Sequence, residues 1–452
     1  MNTSFLEFRN TYKEIIYKNY NIEEKENDVV ITYFFVIPGL VEFKPTLIFS
    51  KDLIKNTLVN DKLMNKIIFH IGMIELISYY KCCCPEKVVI EAGYLSEYDQ
   101  KWFKKLFYNG LGEFLFRNNI TISENDLFEF EILGEEIFID DIDYEGNGNL
   151  IPVGGGKDSV VTLELLNDYH NVNNCFIINP NGANIECCYT ALYDDDSICK
   201  VRRVIDKNLL ELNSKGFLNG HTPFSSVVAF ISYLIAYLTN KKYIVLSNED
   251  SANESTVLGT NINHQYSKSY EFENDFFEFT KRNYKINILY FSLLRPLKEI
   301  QIAMLFSKYK KYHKVFKSCN LGSKGKTWEW CCACPKCLFV YIILSLFLSE
   351  KEMVDIFGKN LFNEKSLEKD FIELIGEGET KPFECVGSIS EVIYALNMII
   401  SNYDGKLPYL LDLYKKNYNK VVDLNLKEIG TMHNVYNEFL DILKENIFNY
   451  EK

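Results

Sequence analysis

No stretch of this 452-residue sequence is apolar for the ~20 residues that a membrane-spanning helix requires. The longest apolar runs, Val227 to Leu238 and Leu338 to Leu348, fall short, and the first follows Ser225-Ser226 and contains Ser232. Both are expected to be buried helices, and no membrane association is expected. The start, Met1-Asn2-Thr3-Ser4-Phe5-Leu6-Glu7, lacks a basic segment and a continuous apolar one, so a secretory signal is not expected and a cytoplasmic location is. Positive charge is in deficit, with 49 Lys and Arg against 62 Asp and Glu and a formal net charge of −13. That balance argues against extended contact with nucleic acid or an anionic membrane. Internal repeats and low-complexity tracts are absent, which excludes solenoids and long disordered linkers. Nothing in the sequence points to an oligomeric state.

What is present suits an ordinary folded enzyme. Hydrophobic residues make up 47% and aromatics 15%, enough for two or three domains, since one core stops growing at roughly 250–300 residues. Thirteen cysteines without an export signal, several of them clustered, fit reduced thiols or a metal better than disulfides. The first part, residues 1–146, alternates expected strands (Val29 to Val36, Lys87 to Ile90) with helices (Met64 to Tyr80), an α+β domain with no isolated chemical motif. The polar, glycine-punctuated segment Tyr144-Glu145-Gly146-Asn147-Gly148-Asn149 marks its end. Residues 147–348 then read as strand, helix, strand: Leu150 to Val153, Asp158 to Asn167, Cys175 to Asn179, with further strands at Lys242 to Leu246 and Ile286 to Phe291. This alternation predicts an α/β domain with a parallel sheet. Residues 349–452 read as mainly helical.

The segment Pro152-Val153-Gly154-Gly155-Gly156-Lys157-Asp158-Ser159 sits between an expected strand and a helix. Successive glycines let a backbone approach a ligand closely, and the helix that follows aims its free N–H groups at the loop. Lys157 can face phosphate, Ser159 can donate a hydroxyl, and Asp158 can help hold Mg²⁺. An Asp between Lys and Ser separates the segment from the Walker A pattern. It resembles the S-G-G-x-D-S loop of PP-loop ATP pyrophosphatases, with Gly154 where that superfamily usually has serine. The resemblance implies a Rossmann-like fold and ATP cleaved between its α and β phosphates.

Cys319, Cys331, Cys334 and Cys337 form a C-x11-C-x2-C-x2-C array, a set able to close around one structural Zn²⁺, with Cys332 as a spare thiol. The array resembles the zinc cluster of 7-cyano-7-deazaguanine synthase, although the loop before its C-x2-C repeat differs in length. Polar residues follow the later strands: Asn248, Glu249, Ser251 and Asn253 after one, Arg295 after the next. Carboxyl ends of parallel strands line the ligand crevice of such sheets, so these residues are expected near the glycine loop. Arg295 is suited to a bidentate grip on carboxylate or phosphate.

Several segments taken together narrow the resemblance. Gly154 to Ser159, Ser247-Asn248-Glu249, Asn263-His264-Gln265-Tyr266-Ser267-Lys268, Leu294-Arg295-Pro296-Leu297, Ser318-Cys319-Asn320, Trp330 through Cys337 and Lys381-Pro382-Phe383-Glu384-Cys385-Val386-Gly387 are similar to the UDP-N-acetylmuramoyl-L-alanyl-L-glutamate epimerases. So are Ala92 to Ser96 and Asn109 to Phe114. The resemblance implies inversion of the terminal L-Glu of UDP-MurNAc-L-Ala-L-Glu with ATP and Mg²⁺, releasing AMP and pyrophosphate. By chemical type, Glu249, His264, Lys268 and Cys385 are then candidates for the base, while Lys157 and Arg295 handle phosphate or carboxylate charge. The alternatives are a PP-loop ligase or nitrile-forming enzyme, an epimerase of another peptide, and a non-catalytic nucleotide-binding module.

Overall fold

Strict alternation in Asp28–Ile37, with every second side chain buried from Val29 onward, is the pattern of a strand with one face on a core. The computed structural model describes residues 2–56, 59–257, 259–319, 322 and 329–449. Among these, eleven strands form: β1 (Glu14–Glu24), β2 (Asp28–Ile37), β3 (Val41–Phe43), β4 (Thr46–Ser50), β5 (Lys87–Ile90), β6 (Glu129–Ile132), β7 (Asn149–Pro152), β8 (Asn174–Ile178), β9 (Ile198–Val204), β10 (Tyr243–Leu246) and β11 (Leu289–Ser292). Strands and helices mix throughout, as an α/β class requires. The chain divides into two compact units, one of Met1–Leu150, Cys199–Ile244 and Ile262–Tyr290, the other of Ile151–Ile198, Val245–Asn261 and Phe291–Lys452.

In the first unit the strands run in the order β9-β4-β2-β1-β5-β6, with β3 also on β2. β1, β2, β4 and β9 pair antiparallel, whereas β5 and β6 join in parallel. The helix Asp61–Tyr80 starts at Asn60, whose side chain accepts from the Leu63 N–H at 3.1 Å, and is buried almost all round from Ile67 onward. It packs against Phe224–Leu238, the first of the two apolar runs, which is likewise buried nearly throughout. Trp102, Phe103, Phe230, Phe276 and Phe279 form the aromatic heart between the surrounding helices. No described helix is long and apolar enough to cross a membrane.

β8 lies in the second unit, where the last two residues of β7, of β10 and of β11 also lie, and these strands run in the order β8-β7-β10-β11. Val153 N–H donates to the Phe176 carbonyl at 2.9 Å, and Leu293 N–H to that of Leu246 at 2.9 Å, just past the strand ends. The chain therefore leaves β7 toward β8 on one side, and β10 lies on the other. This is a point where the strand order reverses, and the loops after β7 and β10 start from neighbouring strands there. The helix after the glycines spans Lys157–Leu165, and the one after β11 spans Glu299–Lys308. Pro335 opens Pro335–Leu344, which contains most of the second apolar run. Beyond it, Ser349 with Glu352 and Ser388 with Glu391 form capping boxes that start Glu350–Phe357 and Ile389–Ser401. The strand expected from Ile286 begins later, at Leu289, because Lys285 takes a left-handed φ of 55° and Ile286 to Ile288 leave the preceding helix as loop.

One buried ion pair anchors β9 in the first unit. Arg203 grips Glu75 through both carboxylate oxygens, Nη2 to Oε2 at 2.8 Å, and also reaches Ser78 at 3.2 Å. Removing one partner strands the other charge, whereas replacing both does not. Arg203→Met is expected to destabilise the protein by about 3–5 kcal/mol in urea unfolding, and adding Glu75→Leu to recover much of that loss. Equal or greater loss in the double variant would refute this account.

Candidate functional site

The glycine loop follows β7 directly, and each glycine has a different task. Gly155 has φ +84°, and a Cβ there would lie 2.7 Å from the Asn184 nitrogen, so only glycine fits. Gly156 precedes the helix, where a Cβ would meet the Ser318 Oγ at 2.8 Å. Gly154 is exposed, and a Cβ on it would meet nothing within 4 Å. A serine side chain would therefore have room at this position. Ser159 takes over part of the local bonding: its Oγ accepts from Gly155 N–H at 3.2 Å and donates to the Gly156 carbonyl at 3.0 Å. The Lys317 N–H fixes the Gly155 carbonyl at 2.8 Å, and the buried Ser318 Oγ beside Gly156 has no hydrogen-bond partner among the described residues.

Lys157 is wholly buried, its ammonium between the carboxylates of Asp158 and Glu299. Burial opposes its charge, but the two carboxylates outweigh burial and hold the ammonium above the usual lysine range. Glu299 is pushed up to about 8, first by burial and then by the charges of Asp158 and Glu249, with Lys157 opposing. The positive charge therefore stays on Lys157, and burial, with the charges of Asp158 and Glu249 added to it, is what raises Glu299. Glu299 opens the helix after β11, where an acidic residue reads simply as favourable to the helix dipole. No sequence signal pairs it with a lysine 142 positions away.

Of the polar residues after β10, Ser247 reaches the glycine-loop helix and Glu249 lies within electrostatic reach of Glu299. Ser247 Oγ bonds Thr162 Oγ1 on the glycine-loop helix at 2.8 Å, and Asn248 Nδ2 donates to Ser292 Oγ at 3.0 Å. Glu249 is buried and accepts from Ser251 Oγ at 3.4 Å. Arg295, only 1% exposed, donates through Nη1 to the Glu249 carbonyl at 2.6 Å, tying the two strand-end loops together. Asn253 caps its own short turn through the Asp250 carbonyl at 3.0 Å.

The Lys381–Gly387 segment closes on the same part of the unit. Lys381 bridges to Glu254 at 2.9 Å, and its N–H donates to Thr256 at 3.1 Å. The Lys336 ammonium donates to the Cys385 carbonyl, and the Cys385 side chain is half-buried. A Cβ on Gly387 would meet Phe339 at 2.8 Å and Glu299 at 3.2 Å, so this glycine permits contact with the Lys157 partner.

The four predicted cysteines come together. Sγ separations are 3.8 Å for Cys319–Cys334, 3.6 Å for Cys331–Cys337 and 3.5 Å for Cys334–Cys337, and all four sulfurs lie within 4.8 Å of one another. A tetrahedral ion with Zn–S near 2.3 Å sets sulfurs about 3.8 Å apart, so the group fits one such ion. The Gly322 N–H donates to Cys319 Sγ at 3.2 Å, the kind of outer contact that steadies a thiolate. Cys332 turns away with φ 51° to donate to the Phe357 carbonyl at 3.2 Å, and burial pushes its thiol up to about 11. Asn320, part of the Ser318-Cys319-Asn320 motif, lies outside the described residues.

His264 and Lys268 belong to the first unit, as do two residues that the sequence reading passed over, Glu113 and His221. His264 Nδ1 is 2.5 Å and His221 Nδ1 3.4 Å from Glu113 Oε2, while Arg117 Nε holds Oε1 at 2.6 Å. Burial would raise Glu113, but the hydrogen bond and charge of His264 prevail and hold it below the ordinary glutamate value. Burial and then the His264 ring push His221 down to about 4. Lys81, lowered to about 8 chiefly by burial, donates to the Gly220 carbonyl and, at 2.8 Å, to Thr222 Oγ1, gripping both neighbours of His221.

Two predictions follow from the loop. Gly155→Ala is expected to cost about 1–3 kcal/mol through its φ and the Asn184 clash, while Gly154→Ser stays within about 0.5 kcal/mol of wild type in urea unfolding. Equal effects would contradict the roles assigned. Lys157→Met leaves Glu299 buried without its ammonium, so its carboxyl stays raised above the ordinary value of 4.5. An acid with a raised folded pKa binds a proton on folding, so its stabilisation is fully present below the unfolded value and is lost as pH rises through the folded one. Glu299 already stands at about 8 beside Lys157, so both proteins carry it protonated well below that pH and the variant's deficit is expected to be level there. It grows as pH rises through ~8, reaching about 3–5 kcal/mol, in urea titrations across that range. A deficit that shrinks with rising pH would contradict this.

Comparison with known proteins gives the geometry a family. The model of the MurL N-terminal domain matches residues 7–293, and that of the MurL C-terminal domain matches residues 315–426. A protein of Xanthomonas oryzae pv. oryzae named UDP-N-acetyl-alpha-D-muramoyl-L-alanyl-L-glutamate epimerase is 30% identical over 355 residues, 77% of this chain and 78% of that protein. Proteins of the same name from a Micromonospora species and from Salinispora tropica are 34% and 33% identical, covering 72% of this chain and 72% and 70% of their own lengths. No solved structure matches. With both family domains matched in order and relatives aligned over most of its length, the chain belongs to the MurL epimerase family.

Proposed function

We propose that this chain is an ATP-dependent epimerase that converts the terminal L-Glu of UDP-MurNAc-L-Ala-L-Glu to D-Glu in peptidoglycan precursor synthesis in the cytoplasm. The observation that carries the reading is the glycine loop at the strand-order reversal, with Lys157 at its helix start, in a chain whose relatives bear the epimerase name. The order β8-β7-β10-β11 and the helix after the loop support a Rossmann-like, PP-loop assignment of the second unit.

The chemistry follows from the substrate. A carboxylate beside Cα makes that carbon a poor acid, because deprotonation adds charge to an existing anion. The carboxylate oxygen attacks the α-phosphorus of ATP, the bond to the β-phosphate oxygen breaks, and pyrophosphate leaves with the electron pair. The resulting mixed anhydride no longer carries the carboxylate charge, so the carbanion delocalises as an enolate. A base takes the α-proton, a proton returns on the opposite face, and water releases AMP. The loop N–H groups and Lys157 suit the developing phosphate charge, with Arg295 fixing the adjoining strand ends. Asp158, with Glu249 and Glu299 nearby, would hold Mg²⁺, which supplies neutralisation of phosphate charge. Glu249, His264, Lys268 and Cys385 are the groups from which the proton acceptor is drawn. The four cysteines would hold Zn²⁺ as a structural clamp with no part in the proton transfers.

The test is incubation with ATP, Mg²⁺ and UDP-MurNAc-L-Ala-L-Glu in D₂O. Expected are deuterium at the glutamyl Cα, D-Glu in the product and one AMP per turnover, with AMP formation at least about 10²-fold lower in Lys157→Met. AMP with a new amide would favour a ligase, and no nucleotide turnover with any acceptor would overturn both.

A further inference from the structure

Glu113, His221 and His264 come from three separate stretches: the helix Gly112–Arg117, the loop before Phe224–Leu238, and the loop before Tyr270–Tyr284. Each offers one ligand atom, and the three atoms lie within 4.8 Å of one another. The two imidazole rings sit 4.4 Å apart at 50°. We propose that these residues bind one divalent transition-metal ion of the zinc or cobalt class, at a site distinct from the four cysteines.

The donor set suits such an ion: two imidazoles and one carboxylate are borderline ligands of the kind zinc and cobalt take, and three of them leave a position open. A tetrahedral ion with bonds near 2.0–2.1 Å places its ligand atoms about 3.3 Å apart. The His221–Glu113 separation of 3.4 Å already matches, and the His264–Glu113 separation of 2.5 Å must open by roughly 0.8 Å. That is a shift within a side-chain rotation. The surroundings orient the ligands as outer-shell partners do. Arg117 takes Glu113 Oε1 and so directs Oε2 to the histidines. Lys81 holds residues 220 and 222 on either side of His221, and Asn118 Nδ2 holds the Asn219 carbonyl at 3.1 Å. Gln265 N–H donates to Asn263 Oδ1 at 2.7 Å, which shapes the turn carrying His264.

Cations stand close by: Arg117 on Glu113, with Lys81 and Lys268 within electrostatic reach of His221. They oppose a second positive charge, and they favour an anionic oxygen, phosphate or carboxylate, in the open position. A bare hydrogen-bonded cluster of Glu and His is the competing explanation, and it predicts no metal uptake.

The experiment is a Co²⁺ titration of the full chain after chelator treatment under reducing conditions, with bound cobalt counted by mass spectrometry and followed by absorption. Wild type is expected to bind two equivalents, one giving thiolate-to-cobalt charge-transfer absorption and one giving none. His221→Ala, His264→Gln and Glu113→Gln should each weaken the second equivalent at least about 100-fold and leave the charge-transfer band intact. Cys334→Ser should do the reverse. Thermal unfolding of the metal-free variants identifies those that fold, and two folded variants suffice. A wild type that takes up only thiolate-bound cobalt, or histidine variants that bind as wild type does, would overturn the proposal. Binding at the histidines without a charge-transfer band would instead remove the cysteine site and leave this one standing.

Discussion

A buried ammonium held by two carboxylates is the constraint on which the second unit turns. Lys157 cannot reach water, so its charge persists only because Asp158 and Glu299 face it. That requirement joins the glycine-loop helix to the helix after β11, two elements far apart in sequence. Because Glu299 is buried and faces the charges of Asp158 and Glu249 as well as the lysine, its carboxyl is raised above the ordinary glutamate value.

Around that pair, each supporting contact restricts one backbone. The Lys317 N–H and Ser159 hydroxyl fix the loop, Arg295 fixes the strand-end segments after β10 and β11, and Gly387 lets the Lys381–Gly387 segment lie against Glu299. The cysteines lie on the same unit, where Cys334, Lys336 and Cys337 flank and begin the helix whose Lys336 holds Cys385.

Much of this layout could be read from the residues. The β7–loop–helix unit, the strands at β8, β10 and β2, and the buried helices near Val227 and Leu338 lie within a few residues of their expected places, because apolar periodicity and capping chemistry are local signals. The cysteine spacing was also legible, because two C-x2-C pairs on one short stretch can hardly avoid one another. Glu299, Lys336, Glu113 and His221 were not. Each is an ordinary charged or polar residue at a helix start or in a loop, and its meaning comes from a partner that chain spacing does not reveal.

The sequence by itself determined the kinds of element, the glycine loop with its single lysine, the thiol quartet and the family resemblance. These depend on steric rules and donor chemistry that act over a few residues. Tertiary structure alone decided that Lys157 is caged by Glu299 and that Ser159 serves the loop's own backbone. It also decided that Arg295 grips a main-chain carbonyl and that two histidines meet on one glutamate. The physical reason is common to all of them: charge and hydrogen-bond energies depend on distance and burial, and only the folded packing sets those two quantities.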